Sequence, residues 1–171
     1  MRIARATIAT TAAVEGASDT MHVVARLGDE RFAFRVADVE EVVDAPALIA
    51  VPNAPKGLAG QFVHRDRTVS AFDGSWTFGV ARASETGTAL VLRVDDDRMA
   101  IVVDDVEDLT SLDPDGVRAA PAGTDPGGLL RGVCLPRAGG ASAASLIGVV
   151  NTVAVVARVS ALRPVQAKRA S

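Results

Sequence analysis

The rhythm of this chain limits its fold more than any other feature. Short apolar, β-branched runs are broken by Gly, Asp, Asn or Pro at intervals of roughly ten residues. Residues 21–27 and 31–36 flank Gly28-Asp29-Glu30 and predict a β-hairpin, with Phe32, Phe34 and Val36 on one face at a period of two. Residues 62–64 and 68–72 flank Arg65-Asp66-Arg67 and predict a second hairpin with a charged tip. Residues 88–94 and 99–103, around Asp95-Asp96-Asp97, predict a third. Its arms are almost continuously apolar, which calls for burial on both faces. Residues 129–135 and 145–150, around a Gly/Ala/Arg turn at 136–142, predict a fourth. Val36, Val39 and Val43 stand at helical spacing and predict a short helix over 36–43 that fades before Pro46. Pro52 and Pro55 mark a turn, 74–87 reads as a loop carrying Trp76 and Phe78, and 113–128 reads as a long Pro/Gly loop. Asn151-Thr152 caps a final helix over 153–162, stopped by Pro164. Residues 1–20 are rich in Ala and Thr, lack periodicity and read as a flexible leader.

Many short strands with one or two short helices predict a mainly β protein built from small barrels. They disfavour an alternating βαβ nucleotide fold. A length of 171 residues suits one domain, or two small barrels sharing a chain.

Composition narrows the function. A net charge of −3 excludes a strongly basic phosphate-binding domain, and 4% aromatic residues argue against a stacking platform for single-stranded nucleic acid. One cysteine excludes an internal disulfide and a zinc site built on several cysteines, and two histidines argue against a His-rich metal cluster. No run reaches the ~18 apolar residues of a membrane span, so the chain reads as soluble and cytoplasmic, without membrane insertion. No Gly-rich phosphate loop occurs, so no cofactor and no metal is expected. Ser70, His64 and Asp73 would be the members of a hydrolase triad, but no nucleophile elbow surrounds them. Cys134, between Val133 and Leu135, reads as a buried inert thiol. Between Asp95 and Asp115 nine acids face one base, Arg98. That run reads as a solvated acidic face, onto which the basic end (Arg158, Arg163, Lys168, Arg169) could fold back.

A colinear series of motifs then carries a resemblance. Residues 27–34 (LGDERFAF) are similar to an "LGDEEYAI" hairpin, and Val39-Glu40-Glu41-Val42 to "VQEI". Pro52-Asn53-Ala54-Pro55, followed by Gly60 and Arg65, is similar to "PNAP…KG…NLRG", and residues 69–73 to "VPIVD". Residues 98–106 are similar to "RVVGIVVDGV", 130–133 to "YIRGIG" and 146–151 to "LLILLD". Over roughly 21–157 the sequence resembles the CheW family of chemotaxis coupling proteins.

The resemblance implies two packed five-stranded SH3-like β-barrels with short helices, one near the C-terminus. It implies a CheW-like domain at 21–157, made of two barrel subdomains, followed by a helix end and basic tail at 158–171. It also implies a non-enzymatic adaptor. The expected partners are the regulatory domain of a CheA-type histidine kinase and the cytoplasmic tips of methyl-accepting chemoreceptors. With no phospho-acceptor domain in sight, a stand-alone adaptor is expected. Val39, Gly60 and Arg65 fall where the family contacts its partners, and Glu41, His64 and Asp66 complete the candidate partner-binding set. The family's "NLRG" is Val63-His64-Arg65-Asp66 here, so Asp stands where a glycine would relieve a positive φ. The alternative is a small β-barrel that binds peptides along a strand edge, outside chemosensory signalling.

Overall fold

The computed structural model describes residues 20–125, 127–136 and 145–162. The expected leader (apart from Thr20), most of the turn at 136–142 and the tail beyond Leu162 lie outside the described residues. The strands are β1 (Met21–Leu27), β2 (Glu30–Arg35), β3 (Val39–Asp44), β4 (Leu58–His64), β5 (Arg67–Asp73), β6 (Thr88–Val94), β7 (Asp97–Val103), β8 (Asp105–Ser111), β9 (Leu130–Cys134) and β10 (Ile147–Val150). A short helix, α1 (Gly74–Phe78), follows β5, and α2 (Thr152–Ser160) follows β10.

The strands form two five-stranded sheets, in the orders β8-β1-β2-β10-β9 and β3-β6-β7-β5-β4. In each sheet two antiparallel hairpins meet along a parallel seam, β2 with β10 and β5 with β7. Each sheet closes on itself. Beyond β3, Ile49 exchanges backbone hydrogen bonds with Gln61 on β4, at 2.7 and 2.9 Å. Beyond β8, Arg118 does the same with Val133 on β9, both at 2.8 Å. The chain leaving one edge strand thus ties down the opposite edge, which removes most of the free edge of each barrel.

Period-two alternation sorts the side chains into three cores. Phe62, Val69, Ala71, Val91 and Ala100 fill the β3–β7 barrel. Val24, Ala33, Cys134, Ile147 and Val149 fill the other. The opposite faces of the same strands, including Leu27, Phe34, Phe72, Leu90, Met99 and Ile101, merge into one shared core between the barrels. The apolar arms of β6 and β7 are therefore buried on both faces, one set of side chains inside a barrel and the other between barrels.

Two local expectations change. The helix expected over 36–43 shrinks to a 3-10 turn at Val36–Asp38, after which Val39, Val42 and Val43 run extended in β3. β-Branched side chains favour that pairing, and Val36 and Val39 both reach the shared core without a helix. The expected loop at 74–87 begins with α1, because the Asp73 carboxylate accepts the Ser75 amide (2.8 Å) and hydroxyl (2.7 Å) and caps the turn. The expected final helix is present, with the Asn151 side chain accepting the Ala154 amide at 3.2 Å. Residues 105–111, part of the acidic run, form edge strand β8 against β1.

Candidate functional site

Glu41 and His64 lie on β3 and β4, the opposite edges of one sheet, and barrel closure brings them together. His64 Nε2 is hydrogen-bonded to Glu41 Oε2, and the Arg65 guanidinium stands 3.4 Å from the same oxygen. The His64 ring is buried and packs edge-on to Phe62, with centroids 6.5 Å apart. Arg65 and Asp66 form the two-residue tip between His64 and Arg67, with φ of 48° and 62°. Two positive φ values are what a type I′ hairpin needs, and neither residue here is the Asn or Gly that takes them cheaply. Replacing Asp66 by Gly is therefore expected to raise stability by about 1 kcal/mol, read as a shifted urea midpoint with an unchanged slope.

Beside this charged group, Val63 is 66% and Ile49 65% exposed. Ile49 faces Gln61 across the closing bridge, and Val63 lies two residues further along the same face of β4. The result is an exposed apolar strip framed by charge. Gly60 sits behind it and is buried. Its φ is +152°, and a Cβ there would lie 2.8 Å from the Ile49 carbonyl oxygen, so Gly60 permits the closing bridge. Val39 is at the other end of β3, 4% exposed and inside the shared core. Of the six candidates, then, Glu41, His64, Arg65 and Asp66 converge at one surface, Gly60 supports it from behind, and Val39 is packed away from it.

The triad reading separates in space. Asp73 caps α1, Ser70 accepts from the Gln61 amide at 3.2 Å, and His64 is tied to Glu41. Cys134 is buried among Val24, Ala33 and Ile147, and burial pushes its thiol up, which disfavours the reactive thiolate. Among the described residues, no group of three or more His, Cys, Asp or Glu is placed to hold a metal ion. The acidic run is not uniformly solvated. The Asp104 side chain is fully buried, and Glu107 pairs with Arg31 at 2.7 Å and Arg26 at 3.2 Å. Arg158 lies over the Trp76 ring at 5.0 Å rather than on the acidic run, and Arg163, Lys168 and Arg169 are outside the described residues.

A second surface was not legible in the sequence. A groove of about 520 Å³ runs between α1 and the barrel that contains β2, β9 and β10. Phe32, Trp76, Phe78, Leu130, Leu146 and Arg158 are among its walls. Phe78 stacks on Phe32 at 4.5 Å and meets Phe34 edge-on at 6.2 Å. Reading 74–87 as a loop hid this wall; the signal was Asp73 two residues before a hydroxyl, followed by two aromatics.

A family model, the CheW-like domain, matches residues 22–160. Among solved structures, the chain is similar to that described as the scaffolding protein TtCheW from Thermoanaerobacter tengcongensis. The TM-score is 0.67 at 19% identity, covering 77% of this chain and 83% of that one. A search of curated proteins finds no match. Among the described residues no helix is long and apolar enough to cross a membrane. The topology of two closed five-stranded sheets and the family match over 22–160 lead to one conclusion: this chain belongs to the CheW-like family.

Proposed function

We propose that the chain is a non-enzymatic signalling adaptor that couples methyl-accepting chemoreceptors to a CheA-type histidine kinase. Its work is cytoplasmic docking, with no nucleic acid and no membrane insertion. The working unit is the CheW-like domain at 21–157. The observation that carries this reading is the exposed Val63–Ile49 strip beside Glu41, His64, Arg65 and Asp66. An apolar patch with a polar rim is the usual form of a transient protein interface. Arg65, at the exposed tip, is the group best placed to choose a partner by charge. An adaptor must also hold two partners at once, which requires two separate surfaces. The groove walled by Phe32, Trp76 and Leu146 offers the second.

Titration calorimetry against the regulatory domain of the cognate kinase tests the reading. The wild-type chain is expected to bind with micromolar or tighter affinity. Arg65→Glu places a second negative charge beside Glu41 and should raise Kd at least tenfold, or ~1.4 kcal/mol, with the fold intact. Equal binding by the variant would remove Arg65 from the interface. No binding by the wild-type chain would remove the kinase.

A further inference from the structure

On β4, Gly60, Phe62 and His64 are buried, and Val63 between the last two is exposed. His64 is thus a polar side chain on the inward, otherwise apolar face of the strand. It is 7% exposed, so it does not meet a partner directly. Its Nδ1 is buried with no hydrogen-bond partner among the described residues. A proton on that nitrogen would be a buried, unpaired donor. The proton therefore belongs on Nε2, and Nε2–H donates to Glu41 Oε2.

That oxygen has a second claimant. Arg65 Nη2 stands 3.4 Å from it, an ion pair without a hydrogen bond. Glu40, next to Glu41 on β3 and with no histidine on it, shows the closer alternative: it accepts Arg98 Nε at 2.8 Å. Glu41 is the one acid in ion-pair range of Arg65 among the described residues. The Arg65 side chain is 50% exposed, and its guanidinium makes no hydrogen bond among those residues. Its N–H donors stay open, and a guanidinium in that state takes a carboxylate through two parallel bonds. Val63 and Ile49 lie beside it, so the matching surface is a carboxylate bordering an apolar patch.

His64 and Arg65 compete for one carboxylate. Without His64, Glu41 would lose its inner hydrogen bond and close on Arg65 as a bidentate pair. We propose that His64 is a positioning residue of the docking surface: by holding the Glu41 carboxylate, it keeps Arg65 open to a carboxylate on the partner. The identity of that partner rests on the adaptor reading; the competition inside the free chain does not.

The first arm of the test needs no partner. Phenylglyoxal, which modifies guanidinium groups, is applied to the free full-length chain, and the rate at Arg65 is read by peptide mass spectrometry. His64→Leu should slow modification of Arg65 about threefold, the scale of a surface ion pair. His64→Gln, which keeps an N–H for Glu41, should react like the wild type. Urea denaturation confirms that each variant is folded under the conditions of the assay.

The second arm is calorimetry against the kinase regulatory domain. His64→Leu should raise Kd about threefold, and the same change made in a Glu41→Gln background should not. A loss of packing at His64 would act alike in both backgrounds. The proposal is overturned if Arg65 reacts as fast in His64→Leu as in the wild type. It is also overturned if His64→Leu leaves Kd unchanged, or raises it equally with and without the Glu41 charge. If the wild-type chain binds no kinase domain, the adaptor reading falls, and the modification rates alone decide between support and rejection.

Discussion

Replacing Asp104 by Ala is expected to lower folding stability by about 3–5 kcal/mol, measured by urea denaturation. The Asp104 carboxylate, fully buried, accepts the amides of Gly28 at 2.6 Å, Ala83 at 2.8 Å and Ser84 at 3.0 Å. The guanidinium groups of Arg82 and Arg26 stand at 3.5 and 3.8 Å. One side chain thus holds the β1–β2 turn and the connection at 79–87 against the end of β7. Alanine would leave three donors without an acceptor and two arginines without their buried counter-charge. Asp104→Asn keeps one acceptor and loses the charge, so its loss should be smaller.

The same residue sets an acid limit. Burial alone pushes the Asp104 carboxyl up, but the amides of Ala83, Gly28 and Ser84 together with Arg82 outweigh it and hold it below the ordinary value of 3.8. A depressed carboxyl contributes stability that is complete above the unfolded value and is lost as pH falls through the folded one. Stability should therefore drop below pH 3.8 in the wild type, with a shallower slope in Asp104→Asn. His22 adds a decline that begins at higher pH. Burial lowers it from 6.5, reinforced by Arg35 and Arg131 and opposed by its tie to the Thr20 carbonyl and by Asp38. Its neutral form is favoured by folding, so its share is complete above pH 6.5 and falls as it gains a proton.

Phe34→Ala is the second large effect, about 3–5 kcal/mol. Phe34 is 0% exposed, belongs to β2 in one barrel and meets Phe78 of α1, which follows β5 of the other. A cavity in the shared core should weaken both barrels at once. Calorimetry is expected to show one transition at a lower midpoint. Two separate transitions would show that the barrels fold independently.

The hairpins were legible in the sequence because turn residues and period-two apolar runs are local signals. The final helix was legible because Asn151 and the loss of alternation are local too. The exposed tip at Arg65 and Asp66 followed from the same logic, sharpened by the family resemblance. What was not legible depends on closure. Glu41 and His64 are edge residues of one sheet, and only the bridge at Ile49 and Gln61 makes them neighbours. Val39 stood among the partner-contact positions by the family pattern, although a lone valine there reads as core; the β3 register against Leu92 places it in the shared core. Asp104 read as one more acid in an acidic run, because nothing local distinguishes it from Asp105. Its role comes from the Gly28 turn and the 83–84 amides arriving from elsewhere.

Reconstitution tests the adaptor role most directly. Receptor-containing membranes, the cognate CheA-type kinase and this protein are combined, and kinase phosphorylation is followed with and without receptor ligand. The account predicts that phosphorylation comes under receptor control only when the chain is added, and that Arg65→Glu weakens this control. Kinase activity that is the same with and without the chain, at concentrations that saturate binding, would contradict it.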